Sequence, residues 1–529
     1  MHRTLATGRT LTKILGEVAL YVFVIFVSSY DFGQFGVNEV NKLAAAKHFA
    51  QPGWLANDWY LGLETARYEV FNWIAGPLVS YLGFAGAAVA GRLICYLALG
   101  FAFYRLRNSL RLPWYGMLLV LALFFAKQSF VAGEWMAGGF EAKSLAYAAL
   151  LLAIAAYSRA AYAAGAAWAG AAVSLHPLIG AYGTLCLGGA ILLAPQARRP
   201  HFVRLFVAQW PFVVTGAFGM AAIAAQLLAG AGADGMRAAW IYVHFRNPHH
   251  LLPEFWATAD WKWASMLAPG LLSSLIMAVA PNVGRIRILA GFVAGTSIIF
   301  CVGIAAWVSD MPSMLKYYPF RLADTFVPLW LLVLAVWVIA RRSALRRLLG
   351  SWSVKRRPVS LDGPVLLLAV AFLAWFTLTQ VPDPVTRIAS SLSSSKRPFV
   401  RPPMFEWIAA HTEPGAVLLV PPAESAVYLY AERATVATFK HAPHSGSGVI
   451  QWYERITDLN GGKVPSRHGF AAQQEISERC ASLSESDVVA LSTKYAATHM
   501  LTTDETDYHF ERLHAVDGWV LYRLGDTLD

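Results

Sequence analysis

The chain has 529 residues, of which 57% are hydrophobic and only 14% are charged, where a soluble domain carries about 25% charge. With a mean hydropathy of +0.46, this composition excludes a soluble multidomain protein and indicates a polytopic membrane chain. The formal charge of +11 follows the loops, so it calls for no nucleic acid. Cys95, Cys186, Cys301 and Cys480 form no CxxC pair, which argues against a disulfide framework or a zinc site.

In chain order, apolar runs long enough to cross, or nearly cross, a ~30 Å hydrocarbon core lie at residues 15–30, 85–104, 114–131, 144–157, 160–175, 178–193, 205–228, 264–280, 288–308, 326–340 and 365–379. They predict about eleven transmembrane helices, several of them short. Between 144 and 193 the divisions rest on two tight turns, at Arg159 and at His176-Pro177. Arg3, Arg9 and Lys13 precede the first run as in a signal peptide. No small-residue cleavage site follows, so it reads as a retained helix.

Basic residues occupy alternate loops. With the N-terminus in the cytoplasm, the inner segments hold Arg105, Arg107 and Arg111, then Arg159, then Arg198, Arg199 and Arg204, then Arg285 and Arg287, and finally the cluster from Arg341 to Arg357. The opposite loops carry nearly all the carboxylates, which is the positive-inside pattern. The expected location is a bacterial inner membrane. Residues 381–529 would form a periplasmic domain and residues 31–84 a long outer loop of the transmembrane domain 1–380.

That outer loop has helical texture. Ala44, Ala45, Ala46, Phe49 and Ala50 recur at helical spacing after Asn38-Glu39, predicting amphipathic helices along the membrane surface. Beyond Asp383 the composition becomes that of a soluble α/β domain. Segments 416–420, 435–439 and 498–503 read as strands, and 513–516 and 519–524 flank the hairpin turn Asp517-Gly518. Residues 445–448 read as a flexible loop, flanked by Lys440, Trp452 and Arg455, which fit a solvated surface or, as the alternative, contact with a glycan acceptor. No Walker loop, GxSxG or HExxH occurs, so nucleoside-triphosphate, serine-hydrolase and zincin chemistry lack motif support.

The ionisable residues gather on the outer side. They include Asp31, Glu39, Asp58, Glu64, Arg67, Glu134, Glu141, Lys143, His176, Arg246, His249, His250 and Arg321. A wet loop accounts for any one of them. Three features point further. Glu39 follows the first span in Gly36-Val37-Asn38-Glu39-Val40. Asp58 stands one helix later in Asn57-Asp58-Trp59-Tyr60, so the two acids can face one cleft. Arg92 lies within the second span, where a guanidinium needs an acid or a lipid phosphate. A carboxylate base and a set of cations at the membrane surface suit group transfer from a lipid phosphate.

The stretch from Asn38-Glu39 through Trp54 to Asp58 resembles the first outer loop of the family C (GT-C) membrane glycosyltransferases. Tyr318-Pro319-Phe320-Arg321 before a late span, and Trp407-Ile408 to Pro414-Gly415, are similar as well. Phe140-Glu141-Ala142-Lys143 and His176-Pro177 are similar to a bacterial subset of that family. The resemblance implies inverting transfer of a sugar from a polyprenyl-phosphate carrier to a glycan or lipid acceptor of the cell envelope. It assigns Glu39 as the base and Asp58 as a second acid orienting the acceptor or a divalent metal. Arg92, Glu141, Lys143, His176 and Arg321 become substrate or phosphate contacts. Many members have Asp-Glu where this chain has Asn38-Glu39, which removes one ligand of any metal site built on both acids. Two other functions compete: a lipid or polysaccharide transporter, and a non-catalytic envelope-assembly protein. No internal repeat favours the transporter.

Overall fold

The computed structural model describes residues 2–29, 34–64, 68–193, 202–229, 233–256, 262–280, 283–341, 362–380, 399–503 and 507–525. Asp31, Arg67, the side chain of Glu64, the basic cluster beyond Arg341 and the domain boundary near Asp383 lie outside the described residues.

Every predicted apolar run is helical over most of its length, but the run 114–131 leaves its helix after Ala126 and the run 205–228 breaks at residues 208–209. The longer helices are α1 (His2–Ser29), α2 (Glu39–Ala50), α3 (Glu69–Leu110), α4 (Trp114–Ala126), α5 (Ala142–Tyr157), α6 (Tyr162–Leu175), α7 (Pro177–Leu192), α8 (Trp210–Ala229), α9 (Lys262–Val279), α10 (Ile286–Val308), α11 (Arg321–Ala340) and α12 (Asp362–Gln380). Among the described residues five helices are long and apolar enough to cross a membrane, and six shorter apolar helices of 10–17 residues accompany them. Both tight turns between 144 and 193 form: the Arg159 and Ala161 N–H groups close the first on the Ala156 carbonyl, and at the second Pro177 takes the first position of α7, where a missing N–H costs nothing.

Helix α5 is the centre of the bundle, with all its residues buried. Small residues bring neighbouring helices together. A Cβ on Gly291 would lie 2.8 Å from Cα of Ala190, and one on Gly295 would lie 3.1 Å from Cα of Cys186. The Gly291-xxx-Gly295 spacing is therefore a packing seam between α10 and α7. Gly83 adopts φ +68° and kinks α3 where the outer loop meets the span.

The two ends of the bundle differ in charge. At one end Arg107 Nε lies 3.0 Å from Glu17 Oε1, so Glu17 is paired rather than extended to the interface. There Arg341 donates to the carbonyls of Leu110 and Arg111 at 3.2 Å, and Arg159 lies in the field of Arg105 and Arg285. Among the described residues the predicted inner segments at 105–111, Arg159, Arg285 and Arg341 thus converge, while Arg198 and Arg199 lie outside the described residues. At the other end stand α2, residues 127–141, His176, the start of α11 and the C-terminal domain.

That domain carries helices α13 (Pro403–His411), α14 (Gly446–Leu459), α15 (Gly469–Ala481) and α16 (Glu485–Tyr495) around a five-stranded sheet in the order β2-β1-β3-β5-β4. Strand β1 (Val417–Leu419) is parallel to β2 (Ala434–Thr435) and β3 (His499–Thr503). The hairpin of β4 (Glu511–Val516) and β5 (Trp519–Arg523) closes through Asp517 and Gly518, both at positive φ, as an Asp-Gly hairpin turn requires. Two expectations are corrected. Residues 445–448 start α14, with the Gly448 N–H donating to Ser445 Oγ at 3.2 Å, an N-cap rather than a flexible loop. Trp452 is fully buried, its indole N–H on the Thr438 carbonyl at 3.0 Å.

Helix α2 departs from the expected surface helix. Seven of its twelve residues are buried. A Cβ on Gly76 would lie 2.9 Å from the Ala46 carbonyl and from Ala50 Cβ, so α2 packs tightly on α3. Its Lys47 reaches Glu432 of the C-terminal domain at 2.5 Å. The helix is a spacer between bundle and domain.

Candidate functional site

Residues 127–141 join α4 to α5 without regular structure and are held from three sides. Asp324, at the start of α11, accepts Ser129 Oγ–H (2.6 Å) and the backbone N–H groups of Phe130 (2.9 Å), Val131 (2.7 Å) and Glu134 (2.9 Å). The Gln128 amide bridges Met136 and Ala137, accepting both N–H groups at 2.8 Å and donating to the Ala137 carbonyl at 2.7 Å. Glu39 takes the Phe140 N–H at 2.5 Å. Buried backbone donors without a sheet or helix need such partners, and here three side chains supply them.

Glu39 is thereby fully occupied. It also accepts the Gly36 N–H (2.6 Å) and a two-pronged pair from Arg92, Nε at 2.9 Å and Nη2 at 2.6 Å. The side chains of Arg92 and Glu39 are 1% and 0% exposed. Gly139 passes so close that a Cβ there would lie 2.8 Å from Glu39 Cγ. Asp58 sits in a separate network. It accepts the N–H groups of Tyr60 (3.0 Å) and Leu61 (2.9 Å), Tyr428 O–H (2.8 Å) and the Thr435 N–H (3.3 Å). Burial raises its pKa, and the four donors oppose that shift. The two acids do not share a cleft: one fastens the outer loop to α3, the other fastens it to the C-terminal domain.

The other predicted residues do come together. A cavity of about 610 Å³ opens between bundle and domain, lined by Glu141, Lys143, His176 and Arg321, and also by Asn38, Lys42, Glu134, Arg246 and Lys440. A polar chain crosses it. Arg321 Nε lies 2.9 Å from Glu134 Oε2, and Lys143 Nζ lies 3.3 Å from Glu134 Oε1 and 3.6 Å from Glu141 Oε2. Glu141 accepts from Asn38 Nδ2 (2.8 Å) and Trp135 Nε1 (3.0 Å), and Asn38 Oδ1 accepts from Lys440 Nζ (2.6 Å). His176 accepts the Ile179 N–H at 3.4 Å and packs on Tyr68. Aromatic faces complete the wall, with Lys143 over Trp135 (3.5 Å) and Arg321 over Tyr318 (4.1 Å).

Five cations and two carboxylates line the space, and both carboxylates are already paired. Lys143 and Arg321 supply those pairs; Arg246, Lys42 and Lys440 have no carboxylate partner among the described residues, and Arg246 is the buried one of the three. It is 7% exposed and ends a π-helical turn, Ile241–Arg246, broken by Asn247-Pro248. Its contacts are the Asn247 side chain (3.4 Å), the Lys440 carbonyl (3.5 Å) and the Phe439 ring (4.7 Å). Its Nε has no partner and, among the described residues, no carboxylate pairs with it. A buried guanidinium in this position is costly unless an anion completes it. Burial and the charges of Arg246 and Lys440 keep His249 neutral, its pKa pushed down to about 4.

No group of three or more His, Cys, Asp or Glu side chains among the described residues could hold a metal. Glu39 and Asp58 spend their oxygens on protein donors in two separate places. The residues present do not fit that ion.

A family described as a domain of unknown function, DUF6798, matches residues 402–459. No curated protein matches the chain. Among solved structures, the oligosaccharyltransferase of Archaeoglobus fulgidus tethered with an acceptor peptide aligns with 12% identity over 93% of this chain and 69% of its own (TM-score 0.44). ArnT from Cupriavidus metallidurans aligns with 13% identity over 98% of both chains in the apo state (TM-score 0.40). Bound to undecaprenyl phosphate, it aligns with 12% identity over 97% of this chain and 98% of its own (TM-score 0.33).

Proposed function

We propose that this chain transfers a sugar from a polyprenyl-phosphate carrier to a glycan or lipid hydroxyl, in the cavity between the membrane helices and the C-terminal domain. The observation that carries this reading is Arg246, a buried cation with no carboxylate partner, facing a cavity in which cations outnumber acids. A phosphate supplies the missing charge, and planar guanidinium groups bind phosphate oxygens two at a time. Tyr68, Trp135, Tyr242 and Tyr318 offer aromatic faces to a sugar ring. As the anomeric C–O bond breaks, negative charge grows on the departing phosphate, and Arg246, with Lys143 and Arg321 lining the same cavity, is already in place to stabilise it. Glu39 and Asp58 act in this reading as fasteners that shape the cavity, not as the base. The face is the periplasmic one of a bacterial inner membrane, because the basic loops gather at the opposite end.

The test is to incubate the purified chain with a panel of polyprenyl-phosphate sugars and envelope acceptors and to measure release of the carrier phosphate. At least one donor should release it, and Arg246→Met should slow that release. Failure of every donor, with no binding of the free carrier phosphate, would remove the reading.

A further inference from the structure

We infer that Lys440, contributed by the C-terminal domain, is the catalytic residue that removes the proton from the acceptor hydroxyl. The inference rests on the transfer reading above. Its first support is that both cavity carboxylates are already engaged. Glu134 is taken by Arg321, Lys143 and Tyr147 O–H, and Glu141 by Asn38, Trp135 and Lys143. His250 is directed to the Ala132 carbonyl. The Lys440 amine, by contrast, touches only the neutral Asn38 Oδ1, at 2.6 Å, and no carboxylate pairs with it among the described residues.

The second support is its setting. Arg246 on the π-helical turn, Lys42 on α2 and Lys143 on α5 face the amine with like charge, and Glu141 alone opposes them. His249 beside it is neutral. Burial and these cations bring the amine down to about 7, so a free lone pair is available near neutrality. In the step, the acceptor oxygen bonds to the anomeric carbon while the anomeric C–O bond to phosphate breaks. The electron pair of that bond leaves with the phosphate, and the hydroxyl proton moves to Lys440 Nζ. An ammonium thus forms as the phosphate gains its second negative charge, and each stabilises the other.

Two measurements on the full chain in nanodiscs test this. Lysines are converted to their ¹³C-dimethyl form and followed by NMR, with Lys440→Arg identifying the signal. That signal should titrate near 7 and move upward when undecaprenyl phosphate is added; a midpoint near 10, the ordinary lysine value, overturns the inference. Carrier release is then compared in wild type and Lys440→Arg, because a guanidinium keeps the charge but cannot accept the proton. Release should fall by about 100-fold or more with binding of undecaprenyl phosphate retained. In wild type, release against pH should rise through about 7 as the amine loses its proton. If Lys440→Arg keeps its release, the amine is only a charge and the inference falls alone. If wild type does not bind undecaprenyl phosphate at all, the donor reading falls first, and the titration still reports on the amine.

Discussion

Glu39 follows the first span and Arg92 lies inside the second, where a guanidinium needs a partner. Each turns out to be the other's partner, in a pair 0% and 1% exposed. Breaking a buried pair strands the remaining charge, at a cost of about 3–5 kcal/mol. Glu39→Gln should therefore lower thermal stability and yield in detergent, and Glu39→Leu combined with Arg92→Leu should recover part of the loss. A Glu39→Gln protein of wild-type stability that binds carrier phosphate but releases none would instead restore Glu39 as the base. Asp58→Ala should act locally. Leaving the N–H groups of Leu61 and Thr435 without this acceptor costs about 1–3 kcal/mol each, read as faster proteolysis between the outer loop and the C-terminal domain.

At the scale of elements, the connection 127–141 matters more than any helix. It carries Glu134, Trp135 and Glu141 into the cavity, yet has no ladder of its own. Asp324 binds four donors between Ser129 and Glu134. Asp324→Ala should raise hydrogen exchange across residues 129–134 and weaken carrier-phosphate binding, leaving exchange in α5 unchanged. Unchanged exchange in 129–134 would show that the loop is held by other contacts. Helices themselves were legible, because apolar runs and turn residues are local signals, and the Asp517-Gly518 hairpin was legible for the same reason. The role of α2 was not. Its alanine-rich face reads as amphipathic, whereas burial on α3 and against the domain is decided by segments distant in the chain.

For the whole molecule, the cavity exists only because two parts meet. Asn38 and Lys440 are 402 positions apart yet lie 2.6 Å from each other. Glu141, Lys143, His176 and Arg321 could be picked out one by one in the outer loops. Glu134, Arg246 and Lys440 carry equal weight in the cavity, but their importance comes from juxtaposition, which periodicity does not encode. Arg246 looked like one loop cation among many until its lack of an acid became visible in three dimensions. Sidedness is a property of the same scale: a reporter fused after residue 529 should be active only outside the cytoplasm, and cytoplasmic activity would put the cavity on the wrong face for an envelope acceptor.

The most direct check is equilibrium binding of undecaprenyl phosphate to the purified full chain in nanodiscs, wild type against Arg246→Met. Wild type should bind, less tightly as salt rises, and the variant should lose about 10–100-fold, the worth of a charge-assisted contact of ~1.5–3 kcal/mol. Its fold should be intact, since removing an unpaired buried charge strands no acid. Equal affinity in the two proteins, or none in either, would mean that the cavity is not a carrier-phosphate site.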